Sequence, residues 1–464
     1  MQSKHARTER IPEVSSKPAM THSPLESAAP AFGNSPYQDA ETLTEYTSRA
    51  DKLLARLPRK FLRAPDQHLV ANELLRGCRN TRLRFMRLHG EWLYSALTRD
   101  CTVYRPLDEL AFAAADAIPG LVPNRAEMDQ ERGLLQADKE GREVDQGIFF
   151  WGVLRARRSG SHLVDSGLRP TTQARARLTE LDRESKVIVG AVHVERSGCI
   201  AYVIVQNDRS LNAEDDALIR DMEVAVDIVL LDERVRVAVL RGGAMKHPRH
   251  AGQRVFSSGI DLQDLHGGKI SFVNFLLRRE LGYVNKIRRG LLLEEQSAFT
   301  KERREQKAWL AAVDSFAVGG GVQLLLACDR VIAASNAYLS LPAASEGMIP
   351  GVDNVRLSQW VSGQMARQII LSGRTIGVAE PDARFLVDDV ADPANMDSAI
   401  EAAAFQLSSG ALHANRRLSA LLEEPIDSFR AYMAEFALEQ AQRLYNADVL
   451  SRIAATVAVG NQDD

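Results

Sequence analysis

The chain has 464 residues, enough for two or three domains with sizeable cores. Its 45% hydrophobic and 26% charged content is ordinary for a soluble globular protein, and 58 Lys and Arg against 61 Asp and Glu leave a net charge of −3, which gives no basis for a nucleic-acid partner. No apolar run reaches membrane-spanning length and the N-terminus has no signal-peptide apolar core, so no membrane partner is expected; Cys78, Cys101, Cys199 and Cys328 form no CxxC pair and fit a reducing cytoplasm.

Residues 1–36 are polar and rich in Ser, Thr and Pro. Such a segment buries too little apolar surface to offset its ordering entropy, so a disordered tail is expected. Residues 37–185 read as an all-helical N-terminal domain. Apolar residues recur at helical period over 43–57, 68–97 and 107–117, punctuated by Pro58, Pro65, Pro106 and Pro119, and an amphipathic stretch follows over 124–157. His89 and Trp92 are expected to pack between these helices. The region carries no catalytic motif.

The character changes at Lys186. Alternating and β-branched runs around a Ser197-Gly198 turn signal a hairpin, another strand spans 234–242, and a helical period fills 212–231 between them. Strand, helix and strand in succession is the α/β pattern, which assigns a catalytic core to 186–400. In the next loop Ser257, Ser258 and Gly259 precede Ile260 and Asp261 at the entry to a helix. His247 and His250 form an HxxH, but a metal reading needs a third ligand and a helix under the pair, and Pro248 argues against the helix; no metal is expected. Residues 272–293 read as helical and carry Arg278, Arg279, Arg288 and Arg289, either as surface charge or as forks for phosphate. Residues 294–307 read as a charged, mobile linker and 355–372 as a helix. The helical C-terminal segment, 401–464, is broken at Pro425 and suits packing on a neighbouring subunit.

The rest of the chain is organised around residues 313–351. Here an apolar strand runs into Gly319, Gly320 and Gly321, followed by a helix-like segment 322–328 and a second strand 330–334. Three glycines leave backbone open to close approach by a ligand. Amides at the start of a helix suit an oxygen that gains negative charge. A tight, closely packed turn explains the same residues equally well.

Phe256-Ser-Ser-Gly-Ile-Asp-Leu, followed by Val318-Gly-Gly-Gly-Val-Gln-Leu, Cys328-Asp-Arg and Ile349-Pro-Gly, resembles the enoyl-CoA hydratase (crotonase) superfamily in order and spacing. The resemblance implies an α/β fold, a crotonase-type spiral of ββα units, assembled as a homotrimer or homohexamer around an acyl-CoA thioester substrate. It places the thioester oxygen between the amides of Ile260 and Gly320, next to Gly259. Such donors contribute about 2.7–4 kcal/mol each by analogy with other oxyanion holes. The chain departs from the hydratase pattern at two positions, where Gln323 and Ala343 stand in place of catalytic glutamates. Hydration needs two carboxylates to hold and deprotonate water, so ordinary hydratase activity is not expected. Glu346 lies three residues after Ala343 and serves either as a base in an isomerase- or thioesterase-like site or as a structural carboxylate.

A closer resemblance covers the helical region as well. Ser-Leu-Asn-Ala-Glu-Asp at 210–215, Arg-Arg-Glu-Leu-Gly-Tyr at 278–283, Leu-Pro-Ala-Ala-Ser-Glu-Gly at 341–347 and Phe-Arg-Ala-Tyr-Met-Ala-Glu-Phe-Ala-Leu at 429–438 are similar to the dioxygenases of aryl-acetyl-CoA thioesters within that superfamily. This implies a reaction with O2 as co-substrate, without metal or organic cofactor, in which CoA is part of the substrate and leaves free, serving dihydroxyphenylglycine and glycopeptide antibiotic synthesis. It implies Glu214 and Arg279 as partners of ring hydroxyls and Gln323 as a neutral catalytic neighbour. Ile260, Val322 and Leu324 are then expected as walls of a dry niche for O2. The remaining alternative is a non-catalytic acyl-CoA-binding subunit.

Overall fold

The computed structural model describes residues 30–33, 35–294 and 302–463. Helices come first: α1 (Pro36–Leu54), α2 (Pro65–Leu97), α3 (Leu107–Ala117), α4 (Arg125–Arg132), α5 (Glu143–Arg155), α6 (Arg157–Gly167) and α7 (Thr172–Glu184). Proline in the first turn of α1 and α2 gives up no intrahelical bond. A reciprocal Asn124–Glu127 capping box starts α4. His89 and Trp92 pack between helices as expected: His89 Nε2 lies 2.7 Å from the Asp39 carboxylate, and Trp92 meets Tyr37 edge-on at 5.2 Å. Most of the expected tail, residues 1–29, lies outside the described residues, but Phe32 at its end sits edge-on to Phe85 at 5.8 Å.

The stretch 124–157 is not one amphipathic element. It breaks into α4, a 3-10 turn and α5, and α5 is buried on every face. A helix buried all round needs partners all round. One is α2; the other comes from near the far end of the chain.

The sheets begin at β1 (Lys186–Val189), β2 (Val192–Ser197) and β3 (Ile200–Val205), followed by α8 (Asp216–Leu231) and β4 (Val237–Gly242). The Asp215 side chain caps α8 by accepting the Leu218 N–H at 2.7 Å. Residues 272–293, expected as one helix, form a six-residue π-helix, Phe272–Leu277, then α10 (Arg278–Leu281) and α11 (Tyr283–Arg289), preceded by α9 (Leu262–His266). Gly282 breaks the run and Gly290, at φ +78°, turns it into β5 (Leu291–Glu294). The flanks of the expected linker pair as an antiparallel ribbon, β5 with β6 (Glu302–Glu305), and 295–301 lie outside the described residues.

Next come β7 (Ala308–Val313), β8 (Phe316–Val318), α12 (Gly320–Leu325), β9 (Arg330–Ala334), β10 (Tyr338–Ser340), α13 (Ala343–Glu346), α14 (Asp353–Trp360), α15 (Gly363–Ser372), β11 (Ile376–Gly377) and β12 (Asp389–Ala391). The larger sheet runs β1-β2-β3-β4-β7-β9-β12, antiparallel over its first three strands and parallel from β3 onward. Its central strands β4 and β7 are buried along their whole length, the pattern of parallel strands covered on both faces. A second sheet, β11-β10-β8, carries the glycine turn at its edge. The α/β spiral preceded by a helical region is the expected architecture.

The chain closes with α16 (Met396–Leu407), α17 (Gly410–Glu423), α18 (Ile426–Arg443) and α19 (Ala447–Asp463). α18 is the second partner of α5: Phe429, Met433, Ala434, Ala437 and Ala441 are buried, and the helical region and the sheets share one apolar core. This helix docks on its own chain. The apolar surface left open in the segment lies at Phe405 of α16, at Leu418, Leu421 and Leu422 of α17, and to a lesser degree at Ile426 of α18.

Candidate active site

Three separate stretches are stitched together by backbone. The Glu214 N–H donates to the Gly259 carbonyl at 2.7 Å and the Asp261 N–H donates to the Glu214 carbonyl at 2.9 Å. The Val318 N–H donates to the Ser257 carbonyl at 2.9 Å. Gly259 (φ +95°) and Gly319 (φ +52°) hold left-handed backbone that disfavours a side chain, and a Cβ on Gly319 would lie 3.4 Å from the Gly259 Cα. The two turns therefore touch. Among the described residues no acceptor is paired with the amide of Ile260 or of Gly320.

A pocket opens at this junction, lined by Glu214, Gly259, Ile260, Arg279, Gly320 and Gln323. Ala343 and Glu346 line it too. The π-helix matters here. It presents Phe275 and Leu276 to the pocket and delivers Arg279 and Glu280 on the following turn, in keeping with the tendency of π-turns to occur at functional sites.

Arg279 is the hub of the polar floor. Its Nε–H donates to both Glu214 oxygens at 2.9 and 3.0 Å, one NH group to Glu280 at 2.8 Å and to the Gln323 side-chain oxygen, and the other to the Gly320 carbonyl at 2.7 Å. The Tyr283 hydroxyl donates to Glu214. Burial acts against charge on Arg279, but Glu214, Tyr283 and Glu280 outweigh it and raise its pKa well above the ordinary value. Burial drives the Tyr283 phenol up, so it stays a donor. Glu280 also accepts the Val352 N–H at 3.3 Å. Beside it Asp353 is fully buried with both carboxyl oxygens unpartnered, and burial, then Glu280, pushes its pKa well above the usual range.

Several expectations are corrected. Val322 and Leu324 do not wall the pocket; they flank Gln323 on α12 and point into the core, at 2% and 5% exposure. The apolar walls beyond Ile260 are instead Phe275, Leu276, Leu341, Met348, Ile349 and, from α18, Phe436. The arginines expected as surface charge or phosphate forks are paired with carboxylates. Arg278 pairs with Glu223 at 2.6 Å, Arg288 with Glu423, and Arg289 with Glu424 at 2.8 Å. Burial lowers the Arg289 pKa to about 10. His247 and His250 fall at a 3-10 turn, where His250 Nδ1 lies 2.9 Å from Gln253, and the described residues contain no group of three metal-ligating side chains. The sequence reading does not single out Glu280, Tyr283 or Phe436. All three sit inside motifs it does quote, 278–283 and 429–438, which was the available signal.

Comparison with known proteins agrees with this arrangement. A family model described as enoyl-CoA hydratase/isomerase matches residues 195–448. The (3,5-dihydroxyphenyl)acetyl-CoA 1,2-dioxygenase of Amycolatopsis orientalis is 50% identical over 430 residues, covering 93% of this chain and 98% of that protein. A probable enoyl-CoA hydratase of Rhizobium meliloti (strain 1021) is 27% identical over 269 residues, covering 56% of this chain and 95% of its own. A solved enoyl-CoA hydratase from Mycobacterium avium subsp. paratuberculosis K-10 aligns with a TM-score of 0.47 at 22% identity, over 58% of this chain and 99% of that one. With the family model covering residues 195–448, most of the sheets and both glycine turns, and a relative aligned through the helical region as well, the chain belongs to the enoyl-CoA hydratase/isomerase family.

Proposed function

We propose that the protein is a dioxygenase that converts (3,5-dihydroxyphenyl)acetyl-CoA and O2 to 3,5-dihydroxyphenylglyoxylate and free CoA, without metal or organic cofactor. The observation that carries this reading is the 50% identity to a dioxygenase of that name along 93% of the chain. The pocket chemistry supports it. The two carboxylates of a hydratase are replaced by Gln323 and Ala343, and the Gln323 side-chain oxygen is held by Arg279.

The Cα–H of an arylacetyl thioester is acidic because ring and carbonyl both delocalise the carbanion. The unpaired amides of Ile260 and Gly320 suit the enolate oxygen. The electron-rich enolate passes one electron to O2, the radicals combine, and a peroxide forms at Cα. Its terminal oxygen attacks the thioester carbonyl and expels CoA. Loss of the second Cα proton with cleavage of the O–O bond gives the α-keto acid. Glu214 accepts from a ring hydroxyl beside Arg279, and the apolar walls suit O2. With 18O2 the product carries two labelled oxygens, one in the ketone and one in the carboxylate; label from H2 18O in their place would sink the reading.

The family resemblance and the open apolar residues of α16 and α17 support a homotrimer or homohexamer. Four free cysteines are consistent with a cytoplasmic setting, and among the described residues no helix is long and apolar enough to cross a membrane. The implied role in dihydroxyphenylglycine and glycopeptide antibiotic synthesis follows from the same resemblance.

A further inference from the structure

The reaction needs a group that takes a proton from Cα, and the pocket contains few candidates. Glu214 and Glu280 are engaged as acceptors: Glu214 holds Arg279 and Tyr283, and Glu280 holds Arg279 and the Val352 amide. Arg279 is a cation with its donors in use, Tyr283 is a neutral donor, and Gln323 is an amide. Glu346 differs from all of these. It closes α13, the short helix that starts at Ala343, and it lines the pocket with Ile260, Gly320 and Gln323. Among the described residues its carboxylate has no hydrogen-bond or ion-pair partner.

The elements packed on α13 do not supply a counter-charge. From the α18–α19 junction, Arg443 donates to the Gly347 carbonyl and pairs with Asp448 at 2.7 Å, while Arg452 of α19 donates to the Ser345 carbonyl. Beyond α15, Arg374 pairs with Glu380 at 3.0 Å and Asp382 at 2.8 Å. Across the pocket stand Glu214, Arg279 and Glu280, already bound to one another.

Building on the dioxygenase reading, we propose that Glu346 is the catalytic base, taking the Cα proton of the bound thioester as the electron pair of that C–H bond moves into the enolate. The carboxylate becomes a carboxylic acid and the negative charge passes to the thioester oxygen. The same proton then goes to the departing CoA thiolate. The regenerated carboxylate takes the second Cα proton as the O–O bond breaks, and releases it to water. Burial alone raises the pKa of Glu346, which makes its carboxylate a stronger acceptor than a solvated glutamate.

The test is deuterium wash-in at Cα of (3,5-dihydroxyphenyl)acetyl-CoA, in D2O without O2, for the wild type, Glu346→Gln and Glu346→Asp. The wild type exchanges the proton. Glu346→Gln loses exchange and kcat together by about 10²–10⁴-fold, with thioester affinity and melting temperature near those of the wild type, and Glu346→Asp recovers part of the rate. Wild-type exchange and turnover in Glu346→Gln would overturn the assignment. A wild type that exchanges the proton through Glu346 but consumes no O2 would leave the base in place and overturn the dioxygenase reading. A wild type without exchange would overturn both.

Discussion

Arg279 and Glu214 meet through one nitrogen. The Arg279 Nε–H lies 2.9 and 3.0 Å from the two Glu214 oxygens, so both terminal NH groups remain for Glu280, Gln323 and the Gly320 carbonyl. One guanidinium thus ties three carboxyl or amide side chains to the backbone of the glycine turn.

Removing that guanidinium leaves two buried carboxylates without their cation. Arg279→Ala is expected to destabilise the fold by about 3–5 kcal/mol, as breaking a buried ion pair does, and to abolish turnover. Urea unfolding checks the first and O2 uptake the second. Arg279→Lys retains the charge but not the fork, so it recovers more stability than activity.

Gly320→Ala tests the closeness of the turn to this network. The added Cβ would lie 2.1 Å from a Glu214 oxygen and 3.0 Å from an Arg279 nitrogen. Both side chains are fixed by their hydrogen bonds, so the turn must shift away from the substrate oxygen. A loss of about 10²–10³-fold in kcat is expected, the scale of one oxyanion donor, with thioester Kd changed far less.

Asp353 links stability to pH. Its folded pKa is raised by burial and by Glu280, so the native state binds more protons than the unfolded state once pH exceeds the unfolded value near 3.8. Stability then falls as pH rises from there toward the folded pKa. Asp353→Asn removes this loss. Its melting temperature is expected to exceed that of the wild type at pH 8, with a gap that narrows at pH 5.

Leu421 and Leu422 of α17 are 65% and 85% exposed. If this face joins subunits, Leu421→Arg with Leu422→Arg converts the assembly to monomers in sedimentation velocity while leaving the helical content unchanged. An unchanged sedimentation coefficient would exclude this face as the interface.

The glycine turns were legible because small residues before Ile260 and Gly320 announce exposed backbone at a helix entry whatever lies elsewhere. The pairing of Glu214 with Arg279 was not, since they lie 65 residues apart and local pattern carries no such distance. Val322 and Leu324 face the core and not the pocket because neighbours on a helix point about 100° apart, so residues flanking Gln323 turn away from what it faces. The burial of α5 escaped detection because its second partner, α18, lies nearly 300 residues on, and the same distance concealed Phe436 as a pocket wall.

The most direct measurement is simultaneous O2 consumption and free-thiol release by the chelator-treated protein given (3,5-dihydroxyphenyl)acetyl-CoA. The account predicts one O2 consumed per CoA released, at a rate indifferent to chelator. CoA release without O2 uptake would contradict it and make the protein a thioesterase.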